Sequence, residues 1–506
     1  MANKHLPNRE LEILNSTTDF FGHIEKGNAI ASFLTSNVNN LNQTNMIALY
    51  GKWGSGKSTL MKYIGTELEK SDYKSLYFPA WEFEKDENLP LSLLHFISDK
   101  TGTDKIGVVK EFLDLAGDAS LSALKAITID AGILKINPKV ILDSADAYVE
   151  KNKEKSKSAY NNTKELKKKF AAAEKAIIKK LKKQKLVVFI DDLDRCEPEN
   201  VLNLISAIKL FFTYSSEVIF MFGCDKDAIS KAVKHKYGDI IKSDEYLEKV
   251  IDVSFNMPSD ISINLLLQQY FPERIVSNEQ EICVSEYIED FFQTINFINP
   301  RELKKVLNKF EILKSFEVLP KPQSKLIPRI NINSEQDILM VEFVLLFIIL
   351  HEFFNETFIE LLRFSQKKVN YTDILRDAMI TANAQKSVSF NQANMALHAN
   401  CKILNSLDHS FKEIVDLINK NLGSNESLLL FNYFLTIFTP ILYSDKFAPT
   451  DSGRAFISQF YHKNNSKGDI VSLKFCEYLF QKRDVLLNLK SEYKVADFFR
   501  MCQILL

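Results

Sequence analysis

The sequence predicts an α/β domain built on a parallel sheet, followed by a helical region. Three observations carry this. Apolar runs of strand length alternate with helical patterns as far as Pro258. One run, Met46 to Tyr50, stops at a glycine and passes through a Gly-rich loop into a helical pattern. Another, Leu186 to Ile190, is apolar at every position, as a strand covered on both faces of a parallel sheet requires.

The first strand delivers the chain to GKWGSGKS, Gly51 to Ser58, which fits the pattern G-x-x-x-x-G-K-S/T. Glycine is scarce, 15 in 506 residues, yet Gly51, Gly54 and Gly56 fall together here, where a Cβ would keep backbone N–H groups from a polyphosphate. The helix that follows offers an anion its free N–H groups and the positive end of its dipole. Lys57 then places a charge on the β and γ phosphates and Ser58 ligates Mg²⁺, with Ser55 and Thr59 among the expected nucleotide contacts. Trp53 either lies over the nucleotide or packs against the domain; the sequence leaves both open.

Lys74 to Glu84 reads as the second strand. The third, Leu186 to Ile190, runs into Asp191 and Asp192, with Asp194 just beyond. Ligands of parallel sheets bind at the carboxyl ends of strands, so these carboxylates face the phosphates. Asp191 suits the Mg²⁺ shell, and Asp192 suits polarising the attacking water. A helical pattern, Glu199 to Tyr214, leads to a fourth strand within Ser216 to Ile229, ending at Gly223, Cys224 and Asp225. Tyr246 to Pro258 reads as a fifth strand, closed by its proline.

The second crossover is too long. About a hundred residues lie between Lys85 and Gln184, where a whole βαβ unit needs about 30, so 85–184 is an insertion. Its last part, Asn161 to Lys185, is helical: Asn162 and Glu165 resemble a capping box, and Leu166, Phe170, Ala173, Ile177 and Leu181 form one apolar stripe. The other faces carry Lys167, Lys168, Lys169, Lys175, Lys179, Lys180, Lys182 and Lys183. Such a run of charge is ordinarily a solvated face. Contact of helix 163–183 with nucleic acid, acidic lipid or a partner protein is the alternative.

After Pro258 the chain reads as all-helical. Ile298 to Phe310 starts a helix with Asn299 as cap and Pro300 in the first turn. Leu319 to Arg329 is a stiff loop. The greasiest run, Ile338 to Leu350, is interrupted by Glu342 and falls short of the about 20 apolar residues of a membrane span, so it is assigned to a buried core helix. HEFFN, His351 to Asn355, misses the metal pattern H-E-x-x-H at its last position and belongs with that core. From about Phe364 amphipathic helices continue without a catalytic motif.

The formal net charge of −1 supplies no global field towards nucleic acid or membrane. Cys196, Cys224, Cys283, Cys401, Cys476 and Cys502 are scattered, without a CxxC pair, which argues against a disulfide framework or zinc site and suits a reducing cytosol. The first twenty residues have no apolar core of a signal peptide, and a cytoplasmic location is expected.

Taken in order, DFFGHIEKGNAIASFL (Asp19 to Leu34), GKWGSGKS, PAWEFE (Pro79 to Glu84), VVFIDDLDRC (Val187 to Cys196), YLEKVI (Tyr246 to Ile251) and NPRELKKVLN (Asn299 to Asn308) resemble the KAP family of P-loop NTPases, within the class that holds AAA+ and STAND ATPases. The resemblance covers roughly residues 15–315. It implies strand order 5-1-4-3-2 and hydrolysis of ATP, with Mg²⁺, at the first and third strands. Asp225 then looks like the polar residue that senses the γ-phosphate, and Arg301 like the arginine that a helical lid brings to the nucleotide. The expected domains are an NTPase core at 1–258, the lid at 259–365 and an all-helical module at 366–506. Many members carry transmembrane helices in the insertion; this chain lacks a run of that length and is similar to the soluble bacterial type, some of which resemble phage-exclusion proteins. A homo-oligomer is expected, with Lys249, just before the fifth strand, reaching a neighbour's γ-phosphate and Arg195 as the second candidate. A surface salt bridge from Lys249 to Glu245 is the alternative. Hydrolysis would drive conformational change or assembly; a nucleotide-gated scaffold and a nucleic-acid-dependent motor are the competing readings.

Overall fold

The computed structural model describes residues 13–36, 44–86, 88–118, 167–209, 217–238, 242–258, 261–277, 280–315 and 332–359, with 471, 474, 475 and 478. The chain divides into two compact units, Arg9–Ile261 and Ser262–Leu506 with Met1–Asn8. Asn162, Glu165, Leu166, the Leu319 to Arg329 loop, most of the 366–506 module and Cys401, Cys476 and Cys502 lie outside the described residues.

The first unit runs α1 (His23–Thr35), β1 (Met46–Tyr50), α2 (Lys57–Lys70), β2 (Lys74–Pro79), α3 (Leu89–Thr101), α4 (Gly107–Asp118), α5 (167–181), β3 (Leu186–Asp191), α6 (Pro198–Ala207), β4 (Val218–Cys224), α7 (Lys226–Tyr237), α8 (Ser243–Val250) and β5 (Val253–Asn256). The strands form one parallel sheet in the order β2-β3-β4-β1-β5, which is the expected 5-1-4-3-2. Every residue of β1 and β4, and all of β3 but Asp191, is buried. Side chains alternate across a strand, so Ile47, Leu49, Val187, Phe189, Ile219 and Met221 pack on the face covered by α1 and α2. Their neighbours Met46, Ala48, Val188, Ile190, Phe220 and Phe222 pack on the opposite face against α3, α5, α6 and α7. Asp252 pins the edge: its Oδ2 accepts from the N–H groups of Asn45 and Met46 (3.0 and 2.9 Å), and its Oδ1 holds Lys209 (2.5 Å).

Several expected boundaries shift. The second strand ends at Pro79, not Glu84, and Ala80–Phe83 form a 3-10 turn. The fifth is only Val253–Asn256. Tyr246 to Val250 are helical, burying Tyr246, Leu247 and Val250 at helical spacing. The helix from Glu199 ends its regular part at Ala207. In α5, Phe170, Ala173 and Ile177 are buried as the stripe requires, and Lys182, at φ 54°, lies just beyond its end. Lys169 of α5 faces Glu111 of α4 (3.7 Å) and Lys183, just past the helix, faces Asp72 (3.0 Å), while Lys168, Lys175, Lys179, Lys180 and Lys182 are exposed.

The second unit corrects the all-helical reading. Between α9 (Asn264–Tyr270) and α10 (Val284–Thr294) stands an antiparallel hairpin, β6 (Arg274–Ser277) and β7 (Gln280–Cys283), with Ile275 opposite Ile282. At four residues each, these strands are too short to show a period. Next come α11 (Pro300–Ser315) and α12 (Glu335–Phe353). Asn299 caps α11, its Oδ1 accepting from the N–H groups of Arg301 (3.1 Å) and Glu302 (3.4 Å). The greasy run lies in α12, buried continuously from Val341 to Leu350, and no described helix is long and apolar enough to cross a membrane. Glu342 inside it accepts from the Tyr478 hydroxyl (2.8 Å). Glu352 of HEFFN ion-pairs with Lys305 (2.6 Å) and Lys309 of α11, so this near miss to a metal motif clips two helices together. No metal-binding cluster of acids, His and Cys occurs among the described residues.

Helix α2 lies close on β2. The Tyr77 hydroxyl donates to the carbonyls of Met61 and Lys62 (both 3.2 Å), Ser75 Oγ donates to Gly65 O (3.1 Å), and a Cβ at Gly65 would collide with the Tyr77 hydroxyl. Gly65→Ala is therefore expected to lower stability by about 1–2 kcal/mol, the overpacking cost outweighing the roughly 1 kcal/mol that alanine gains in a helix. Urea unfolding checks this; an unchanged or raised midpoint would show that Tyr77 moves aside.

Candidate functional site

The loop between β1 and α2 continues the sheet for one residue, as Gly51 N–H donates to Cys224 O (3.2 Å). It then turns through Gly54 (φ 84°) and Gly56 (φ 95°), conformations that L side chains seldom adopt. At Gly56 space is also lacking, since a Cβ would stand 2.6 Å from the His23 ring. His23 is buried at the start of α1, where Asp19 accepts from the N–H groups of His23 and Ile24 (2.8 and 2.9 Å) and Phe21 stacks on the imidazole. The sequence reading did not single out His23, because nothing local to residue 23 signals contact with residue 56.

Lys57 opens α2 with its side chain only 7% exposed. Its ammonium folds back over the loop and donates to Gly51 O (2.8 Å) and Lys52 O (3.2 Å), with Asp194 Oδ2 at 4.0 Å. The residues present fit a polyphosphate. The ring of backbone is closed by a buried cation, and Ser55 Oγ is buried with no hydrogen-bond partner. Ser58 and Thr59 follow in the first helical turn, half-buried and buried. Trp53 is 57% exposed, so its indole is not part of the core.

The acidic residues separate into different roles. Asp191 ends β3, and its Oδ1 accepts from Asp192 N–H (2.9 Å). Asp192 sits in the left-handed region at φ 56°, tolerable for aspartate. Its Oδ1 pairs with Arg195 Nε at 3.0 Å, and the guanidinium lies 5.5 Å from the centre of the Trp81 ring. Asp194 points the other way, to Lys57. Cys224, at the end of β4, marks where the charges converge: burial pushes its thiol up to about 12, with Lys57 opposing and Asp194, Asp225 and Asp191 adding to the rise. The carboxylate of Glu84 joins PAWEFE to α6, accepting from Glu197 N–H (2.8 Å) and Asn200 Nδ2 (2.9 Å).

Asp225 caps α7, its Oδ1 accepting from Asp227 N–H (2.9 Å). Lys249 lies exposed in the last turn of α8. Glu245 faces Lys242 instead (3.8 Å), and among the described residues Lys249 forms no ion pair. Arg301 stands in the first turn of α11 in the second unit, beside Lys304, whose pKa is lowered by burial and then by Arg301.

The family model for the KAP family P-loop domain matches residues 28–316, more than half of the chain. The chain belongs to the KAP family. Two uncharacterized proteins of Methanocaldococcus jannaschii are similar to this KAP chain. One is 36% identical over 178 residues, 30% of this chain and 91% of the relative. The other is 38% identical over 124 residues, 23% of this chain and 48% of the relative, so the chain spans about half the length of that one. The structure of the Aeropyrum pernix ORC2 protein, solved as ADPNP–ADP complexes, aligns with 93% of this chain and 97% of its own at 13% identity, with a TM-score of 0.31, too loose a likeness to argue from. The fold and family are those of a nucleotide-binding P-loop NTPase.

The capping role of Asp225 can be separated from a role towards nucleotide. Asp225→Asn keeps an acceptor for the Asp227 N–H and should melt within a few tenths of a kcal/mol of wild type, whereas Asp225→Ala should lose about 1 kcal/mol. If Asn also leaves nucleotide affinity intact while Ala does not, the residue acts through the cap; loss with Asn assigns the effect to the charge.

Proposed function

We propose that this KAP protein binds ATP with Mg²⁺ and hydrolyses it, and that turnover drives conformational change or assembly. The observation that carries the reading is Lys57: a nearly buried ammonium inside a glycine loop, turned onto two loop carbonyls and facing Asp194 in the turn that follows β3. Backbone N–H groups from Gly54 to Ser58 would cradle the β and γ phosphates, and Lys57 would exchange its carbonyl partners for phosphate oxygens. Ser58 and Asp191 would hold Mg²⁺, which when bound neutralises charge developing on the transferred phosphoryl group. Asp225 and Arg301 remain proposed contacts of the γ-phosphate.

Assembly is proposed from Lys249. An exposed cation without an acid partner among the described residues, one turn before edge strand β5, suits donation to a neighbouring copy's nucleotide, where such a cation can contribute roughly 10³–10⁵ in rate. Arg195 is already engaged by Asp192 and Trp81, which favours a role within its own subunit. A role in antiviral defence is proposed from the likeness of several bacterial family members to phage-exclusion proteins, and a cytoplasmic location is proposed with it. The scaffold and nucleic-acid-motor readings are separated from this one by steady-state turnover with and without DNA or RNA.

Lys57→Ala should weaken ATP binding by about 10–100-fold in calorimetry, the loss of a charged hydrogen bond of roughly 1.5–3 kcal/mol. Wild-type protein that neither binds ATP nor releases phosphate under any partner condition would end the ATPase reading.

Lys249→Ala and Lys57→Ala should each be inactive alone and recover part of the turnover when mixed. A rate independent of protein concentration, in a chain that stays monomeric with ATP by light scattering, would rule out the shared site.

A further inference from the structure

We propose that Asp194, rather than Asp192, is the carboxylate that receives the attacking water. This rests on the ATPase reading and adds which side chain meets the reacting atoms. Both carboxylates follow β3, but the turn between them sends them to opposite sides. Leu193 is fully buried and anchors the 3-10 turn Leu193–Arg195, closed by Arg195 N–H to Asp192 O and Cys196 N–H to Leu193 O (both 3.2 Å). In a three-residue turn, positions 192 and 195 share a face and 194 does not. Asp192 accordingly pairs with Arg195, whose guanidinium lies over Trp81, and the Asp192 side chain is 30% exposed. Asp194 is 10% exposed and stands 4.0 Å from the Lys57 ammonium, the group that bears on the β and γ phosphates.

In the step assigned to it, the water oxygen forms a bond to the γ-phosphorus as the bond from that phosphorus to the β,γ-bridging oxygen breaks. ADP leaves with that electron pair, and one water proton passes to the Asp194 carboxylate and then to solvent. Asp191, with Ser58, would still hold the metal.

The test compares Asp194→Asn with Asp192→Asn in the full chain, each first matched to wild type by thermal melting. Phosphate release at saturating Mg–ATP should fall about 100-fold or more in Asp194→Asn, the loss of a general base, and only about three- to tenfold in Asp192→Asn. A second readout needs no turnover. With excess chelator, ATP should bind Asp194→Asn at least about threefold more tightly than wild type, because a carboxylate near Lys57 no longer repels the phosphates. Asp194→Glu, which keeps the charge, should return that affinity to the wild-type value. Turnover retained in Asp194→Asn, or lost as far in Asp192→Asn, overturns the assignment alone. A wild-type chain that binds ATP and never releases phosphate overturns the ATPase reading and the assignment with it.

Discussion

A nearly buried ammonium sets the terms for the first unit. An unpaired charge taken out of water costs several kcal/mol, so Lys57 has to be met on every side. Its partners come from two separate stretches of the chain, the phosphate loop and the turn after β3. Gly51 O is placed by the end of β1, Lys52 O by the turn that follows, and Asp194 by the 3-10 turn after β3. The sheet order puts β4 between β1 and β3, so the two loops approach each other across the end of one strand, at Cys224. Gly223 precedes it, and a Cβ there would press on Met61 and stand 3.4 Å from Asp191 Oδ1. The spacing of phosphate loop and acidic turn is thus fixed by a strand that supplies little chemistry of its own.

The two faces of the sheet are held differently. On one, α1 and α2 pack as a close pair, with Gly27 of α1 against Tyr63 of α2, and His23 from the start of α1 fills the space under Gly56. The first helix therefore supports the phosphate loop from below. On the other face α3, α5, α6 and α7 share a broad apolar layer that includes the buried stripe of α5. The inserted segment is in this respect part of the core: Phe170 and Ala173 are as buried as residues of the strands.

What could be read in the sequence was whatever has a local cause. A strand buried on both faces must be apolar throughout, so β1, β3 and the centre of β4 stand out. The scarcity of glycine isolates the phosphate loop, and Asn299 before Pro300 announces a helix start. Other features are settled by distance or by competition. Tyr246 to Val250 and Val253 to Asn256 make one continuous mixture of apolar and polar residues. Only the pinning of the chain by Asp252 to Asn45 and Met46 determines where pairing begins. The hairpin of β6 and β7 was hidden by its length. Asp192 and Asp194 are equally acidic in sequence and diverge only because Asp192 takes a left-handed backbone conformation, which no composition rule anticipates. Arg195 and Trp81 are 114 positions apart in the chain, so their stacking was likewise out of reach of any window.

The chain contains two tryptophans, and neither is in the core: Trp53 is 57% and Trp81 52% exposed. Indoles are usually anchored in packed interiors or find a polar partner at a boundary. Here one rides on the phosphate loop and the other carries the guanidinium that engages Asp192. The protein's indole emission therefore originates at the phosphate loop and beside the acidic turn, with no interior indole to dilute it. Quenching, polarity shifts and anisotropy in that emission report on the loop and the acidic turn separately once either indole is replaced by phenylalanine, so the molecule carries its own optical gauge of events there without any attached dye.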